Sequence, residues 1–433
     1  MRSNIAKGNS GLTYEIRNIV LVAEELKKNG IEVTWENIGD PVNKGEIIPE
    51  WMKDIVKDVA SKNESYAYSP TKGVLSTREY LANQINKRGG IQITPDDILF
   101  FNGLGDAVDK LYSCLRPDLR VLLPEPTYSS HYISEVAHGS IPPLTYRMNP
   151  ANNWQPDLNE IREKVRRYKA IVGILVLNPD NPTGFVYPEN LLKEIVQIAK
   201  ENDLYLIFDE IYNKIVYNGK KSVLLADIVG DTPAISLKGI SKEFPWPGSR
   251  CGWMEFYNTD KDESFKEYVN TIVQKKMSEV CSTTLPQMAL PIIMEHPEYN
   301  NYLLERSTHY QKLSNIAYDI LKENKYLFVN RTDGAFYMAV AFKDGILNNK
   351  MKLKIANKNV ESFVEKLMDP DMELDKRFVY YLLGSTGICV VPLTSFYTDI
   401  PGFRMTLLEK DLNKFEKTVK TISDKVIEYV ESV

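Results

Sequence analysis

At 433 residues, with 43% hydrophobic and 26% charged residues, the chain is long enough for two domains, or for one large domain with a smaller partner. Its formal net charge of −5 argues against nucleic acid or an anionic membrane as a partner, since both select a basic face. The four cysteines (Cys114, Cys251, Cys281, Cys389) stand far apart with no CxxC pair, which suits free thiols in a reducing compartment and speaks against a disulfide framework or a zinc site.

The opening stretch is polar, without an apolar core of signal-peptide length, and the longest apolar runs elsewhere are strand-sized, so the chain reads as cytoplasmic. Residues 12–29 have helical periodicity, with Leu12, Ile16, Ile19, Val20 and Ala23 on one face. A short extended piece, "VTWENIGDPV", ends in a Gly-Asp-Pro turn, and "IPEWMKDIVKDVASK" and "VLSTREYLANQINKRG" read as amphipathic helices. From about residue 97 the texture changes. "DILFFN", "RVLLPE", "AIVGILVLN", "LYLIFDE" and "PAISLKG" are buried-strand candidates, several separated by helix-length segments such as "LLKEIVQIAKEND". That alternation predicts an α/β fold with a mostly parallel central sheet flanked by helices. After about residue 290 the pattern turns to a helix and then mixed strands ("DGAFYMAVAF", "GICVVPLTSF", "GFRMTLLE"), closed by a helix with Leu412, Phe415, Val419, Ile422 and Val426 in register. Residues 343–375 look like a charged, partly helical excursion. The expected division is an N-terminal segment (1–48) packing with a small C-terminal α+β domain (296–433), and a large domain (49–295) between them.

Several stretches carry chemistry. In "FFNGLGDAVDKL" a strand meets a helix through Gly103 and Gly105, a setting in which helix N–H groups bind phosphate; a plain glycine turn explains the pair about as well. The missing third glycine disfavours a nicotinamide site. "LNPDNPTG" places a rigid loop and the Asn181 amide at the carboxyl end of a buried strand, where open α/β sheets bind ligands. Asp209, directly after "LYLIF", is expected to lie deep and to need a cationic or strongly donating partner, whereas Glu210 has a bland reading as a helix cap. Lys242 sits among small residues after an apolar strand, with Arg250 eight positions on. A confined lysine can lose its charge and act as a nucleophile; a solvated Lys–Arg pair is the ordinary alternative.

Taken together, "NPDNPTG", "DEIY", "SKEFPWPGSRCGW" and "GFR", in this order, resemble the fold type I pyridoxal-phosphate enzymes and, within them, the class I/II aminotransferases. The resemblance runs from about "NIGDPV" to "FRMTLLE". It implies that Lys242 carries pyridoxal 5′-phosphate as a Schiff base and shuttles the substrate proton. Asp209 would pair with the ring nitrogen, Asn181 and Tyr212 would hydrogen-bond the ring oxygen, and Tyr128 would stack on the ring face. Leu104, Gly105, Ser241 and Arg250 would hold the phosphate, joined by Tyr68 of a neighbouring subunit, which implies a homodimer. Arg404 would grip the substrate α-carboxylate, with Gly39 over it and Asn181 beside it.

The implied reaction moves an amino group from an L-amino acid to a 2-oxo acid, with 2-oxoglutarate the expected acceptor, by ping-pong chemistry through pyridoxamine phosphate. "KKMSEVCSTTLPQMA" looks somewhat like alanine aminotransferases and leans the donor toward alanine or a broad range; no arginine for a distal carboxylate is identifiable. Departures are Gly239, where many members have a phosphate-binding serine, and "LTSFY", where a small glycine-containing turn is usual. A carbon–sulfur β-lyase on the same scaffold is the alternative, and a non-enzymatic cofactor-binding regulator a more distant one. The four histidines read as structural, and no metal is expected.

Overall fold

The computed structural model describes residues 15–433. Its centre is an eight-stranded sheet of β2 (Ile98–Asn102), β3 (Arg120–Glu125), β4 (Thr145–Asn149), β5 (Gln155–Pro156), β6 (Ile171–Leu177), β7 (Tyr205–Asp209), β8 (Ala234–Gly239) and β9 (Cys251–Tyr257). The spatial order is β2-β9-β8-β7-β6-β3-β4-β5; β8, β7, β6, β3 and β4 are parallel, β9 is reversed between β8 and β2, and β5 is antiparallel to β4.

Alternate residues of these strands feed two cores, one on each face of the sheet. Leu206 and Phe208 enter one core and Ile207 the other, so strands buried on both sides lose the polar alternation of a half-exposed sheet. Strand β9 was not among the sequence candidates. Its charged residue, Glu255, is neutralised inside the fold by Lys238 at 2.8 Å and receives the Trp253 indole N–H at 2.9 Å, a compensation invisible along the chain.

A second, antiparallel sheet has the order β10-β11-β14-β13, from β10 (Leu327–Val329), β11 (Tyr337–Phe342), β13 (Val391–Pro392) and β14 (Gly402–Thr406). Beside it β1 (Thr34–Trp35) pairs parallel with β12 (Ile388–Cys389). A third core joins this region to Ile19, Ala23 and Leu26 of the helix Glu15–Lys28 and to the closing helix Leu412–Val430. Leu12, expected on the first helix's apolar face, lies outside the described residues. The 343–375 excursion holds a helix, Lys358–Leu367; before it, Met351, Leu353 and Ile355 turn inward to the third core while the lysines between them face solvent. Among the described residues no helix is long and apolar enough to cross a membrane.

Candidate active site

Loops at the carboxyl ends of the parallel strands, with the helix Glu15–Lys28, enclose a cleft of about 400 Å³. Leu104, Gly105, Tyr128, Asn181, Asp209, Tyr212, Ser241, Lys242 and Arg250 all border it, although they are up to 146 residues apart in sequence.

Each arrives for a local reason. Strand β8 ends in the single turn Ile240–Glu243, which projects Lys242; its Nζ donates to the Gly39 carbonyl at 2.7 Å. After the 3₁₀ turn Pro247–Ser249, Arg250 takes a left-handed conformation (φ 52°) and lays its guanidinium against Gly103, donating to the Asn102 carbonyl at 3.3 Å. A Cβ at position 103 would stand 2.4 Å from that guanidinium, and the glycine has φ 82°, so both space and backbone select glycine there. Gly103 caps the helix Leu104–Ser113, whose first N–H groups have no partner inside the helix; a Cβ on Gly105 would meet open space. Asp106 ties this end down by accepting the Asn102 N–H at 2.9 Å and pairing with buried Lys276 at 3.0 Å.

Asp209 is 5% exposed. The Ile211 N–H donates to its Oδ1 at 3.1 Å, and His131 Nε2 lies 3.2 Å from its Oδ2. An ionised carboxylate only accepts, so Nε2 carries the proton and Nδ1 accepts from the Tyr112 hydroxyl 3.2 Å away. His131 therefore has a part in the site that a purely structural reading missed; nothing in its spacing from Asp209, 78 residues along, announced it. In the 178–184 loop, buried Asp180 receives the Thr183 N–H at 3.0 Å and its hydroxyl, which fixes the turn presenting Asn181. Burial raises the Asp180 carboxyl to about 7. Burial, and then the Tyr337 hydroxyl, push the Tyr212 phenol well above its usual value, so it remains a donor at neutral pH.

Arg404, 3% exposed, lies behind the cleft and reaches it through residues that border it. Its guanidinium donates to Asn181 Oδ1 at 3.2 Å and to the Asn37 carbonyl at 2.6 Å, between the rings of Tyr337 (4.2 Å) and Phe396 (4.8 Å). Gly39 is held close by the same tyrosine, and a Cβ there would fall 1.7 Å from the Tyr337 hydroxyl oxygen. Sequence reasoning did not single out Tyr337; "DGAFY" gave only a strand signal. Tyr68 is 83% exposed and does not border the cleft of its own chain. Arg17, on the first described turn of the N-terminal helix, does border it, and is an arginine the motifs did not point to. Among the described residues no group of His, Cys, Asp and Glu is arranged to hold a metal ion.

The model of the family "Aminotransferase class I and II" matches residues 34–422. An uncharacterized aminotransferase of Methanocaldococcus jannaschii is 54% identical over 425 residues, 98% of either chain. Glutamate-pyruvate aminotransferase of Escherichia coli is 28% identical over 75% of this chain and 79% of its own. Among solved structures, alanine aminotransferase from Pyrococcus furiosus superposes with a TM-score of 0.84 at 26% identity, covering 99% of this chain and 100% of that one. The expected α/β architecture and the family resemblance are both met, and the chain is an aminotransferase belonging to class I and II.

Proposed function

We propose that this chain moves an amino group from an L-amino acid to a 2-oxo acid, using pyridoxal phosphate held by the residues that border the cleft. The observation that carries the reading is their convergence: a lysine amine, a buried carboxylate and a glycine-floored anion cradle face one cavity of about 400 Å³. This donor set fits the cofactor. Lys242 would hold its aldehyde carbon, Asp209 its ring nitrogen, Asn181 and Tyr212 its ring oxygen, and Tyr128 its ring face. The first N–H groups of the helix Leu104–Ser113, with Ser241 and Arg250, would hold its phosphate. When bound, pyridoxal phosphate supplies an acceptor for the amino group and an electron sink for the substrate Cα.

The protein's own residues do the rest. His131 orients Asp209 by donating its Nε2–H to the carboxylate. Arg404, flattened between two rings, presents a planar guanidinium suited to an α-carboxylate. The Lys242 amine would take the proton from the substrate Cα and deliver it to the cofactor carbon that keeps the amino group. One cleft serves donor and acceptor in turn, which makes the cycle ping-pong. Tyr68, exposed with its neighbour Tyr66 at 75%, reaches the cleft of a second subunit in our reading, so the working form is a homodimer.

Arg17 favours a dicarboxylic partner. A cation on the cleft wall, added to Arg404, suits the second carboxylate of glutamate and 2-oxoglutarate. The relatives named for alanine and for glutamate-pyruvate transfer support the pairing of that acceptor with alanine.

The test is a half-reaction: cofactor-loaded protein is mixed with single amino acids, without a 2-oxo acid, and the visible absorbance is followed. Loss of the band with glutamate and with alanine is expected. In Arg17→Leu, KM for glutamate and 2-oxoglutarate should rise tenfold or more while alanine and pyruvate are unaffected. Return of the band with release of ammonia and pyruvate would establish the β-lyase instead, and an equal effect of Arg17→Leu on alanine would remove the distal-carboxylate role.

A further inference from the structure

A chain segment, residues 36–46, lies against Lys242 and Tyr337 of the cleft wall and is tied at both ends. Near its start the Thr406 hydroxyl donates to the buried Glu36 carboxylate at 2.9 Å; at its end Glu46 meets Arg306 at 2.6 Å. Between them, the Asn37 carbonyl receives Arg404 and the Gly39 carbonyl receives the Lys242 amine.

Arg306 comes from the helix Tyr299–Leu321 and is 6% exposed. A buried guanidinium must place its donors; Nη2 donates to the Tyr310 hydroxyl at 2.9 Å, and the remaining contacts fall on two targets. One is Glu46, contacted through Nε and through Nη2 at 3.3 Å; the Tyr302 and Tyr310 hydroxyls also donate to that carboxylate, at 2.8 and 3.2 Å. The other is the backbone of the lysine turn, where Nη1 donates to the carbonyls of Lys242 (2.9 Å) and Glu243 (2.5 Å). Ile240–Glu243 is a single turn, so its last carbonyls have no N–H to accept from within it. Arg306 supplies the missing donors and couples the turn to the segment whose Gly39 carbonyl holds the lysine's other end.

We propose that Arg306, through Glu46, is a positioning residue for Lys242: it fixes the lysine's backbone directly and its amine through the 36–46 segment. The role in catalysis rests on the function proposed above; the coupling between the two segments does not.

Two measurements test it, on Arg306→Gln, Arg306→Lys and Glu46→Gln. The first is hydrogen exchange of cofactor-free protein. Glu46 ends the 36–46 segment and bonds to Arg306, which in turn reaches the lysine turn; Glu46→Gln should therefore speed exchange in residues 239–250 as well as 36–46, and Arg306→Gln should speed both tenfold or more. The second is steady-state kinetics per mole of bound cofactor. Arg306→Gln should lower kcat tenfold or more with KM for the amino acid within twofold, and Arg306→Lys should recover part of it.

Unchanged exchange at 239–250 in Glu46→Gln overturns the coupling. Unchanged kcat per bound cofactor, with only less loaded protein, overturns the positioning role. Failure of the parent protein to take up pyridoxal phosphate would fall on the preceding proposal, leaving the exchange result to decide the coupling. Glu46 lies partly open, its side chain 17% exposed, so its variant keeps the test available if Arg306→Gln does not fold.

Discussion

Gly39→Ala isolates the packing that holds the 36–46 segment against Lys242 and Arg404. Gly39 is not among the positive-φ residues, so space alone opposes the change. The added Cβ would lie 1.7 Å from the Tyr337 hydroxyl oxygen, 2.7 Å from its Cζ and 3.0 Å from its Cε1, against an ordinary carbon contact of about 3.5–4 Å. Tyr337 has little freedom to withdraw: the Tyr212 hydroxyl donates to it at 3.4 Å, and its ring underlies Arg404 at 4.2 Å. The segment must move instead, by about 2 Å, which breaks its hydrogen bonds to Lys242 and Arg404. Overpacking costs about 1–3 kcal/mol, and each bond to a charged donor about 1.5–3 kcal/mol, so local detachment costing about 3 kcal/mol is expected, not global unfolding.

The assay is a double-mutant cycle with Tyr337→Phe, followed by thermal unfolding and by KM for the amino donor. Gly39→Ala should lower Tm by several degrees and raise KM. Removing the hydroxyl should relieve part of both effects, because the nearest contact becomes a 2.7 Å ring carbon in place of the 1.7 Å oxygen. Equal losses in the two backgrounds would show that the hydroxyl does not set the position of Gly39, and the account of this segment would fail.

Two further expectations follow from charges buried near the cleft. Arg404→Lys keeps the charge but loses the plane that fits between Tyr337 and Phe396; KM for every amino acid should rise tenfold or more while the bound-cofactor spectrum is unchanged, and an effect confined to one donor would contradict a shared α-carboxylate site. Asp180, raised by burial to about 7 from an ordinary value near 3.9, binds a proton more tightly folded than unfolded, so its contribution is complete below about pH 4 and is lost as pH rises through about 7. The loss amounts to about 4 kcal/mol, and Asp180→Asn should flatten the dependence of the urea midpoint on pH across that window; an unchanged slope would place the effect elsewhere.

Much of this molecule is legible along the chain, and what is hidden shares one physical cause. The five apolar runs became β2, β3, β6, β7 and β8 because strands buried on both faces must be apolar throughout. Lys242, Asp209, Asn181 and Arg250 were legible because each lies close to a strand end: Asp209 closes β7, Asn181 and Lys242 come shortly after β6 and β8, and Arg250 directly precedes the reversed β9, so all four meet at one end of the sheet. The helix-cap reading of Glu210 holds in part: it accepts the N–H of Leu225, the first residue of the helix Leu225–Ile228, at 2.7 Å, and also the Ser236 hydroxyl at 2.5 Å, a contact from a neighbouring strand. His131, Tyr337 and Arg306 meet partners tens to hundreds of residues distant, and no local spacing encodes such contacts. Strand β9 escaped because Glu255 broke its apolar run, and the lysine that neutralises it belongs to the neighbouring strand.

The bond from Arg404 to the Asn37 carbonyl spans 367 residues and bears on how the protein is made. A nascent chain already contains the residues of the glycine turn, the aspartate and the lysine by the time the ribosome reaches residue 250. The 36–46 segment, translated earlier, must then wait without its anchor until β14 is translated and released from the exit tunnel. Contacts of such long sequence separation form late, so the site is completed only after β14 has emerged, and chains stopped before residue 404 carry the lysine without that arginine.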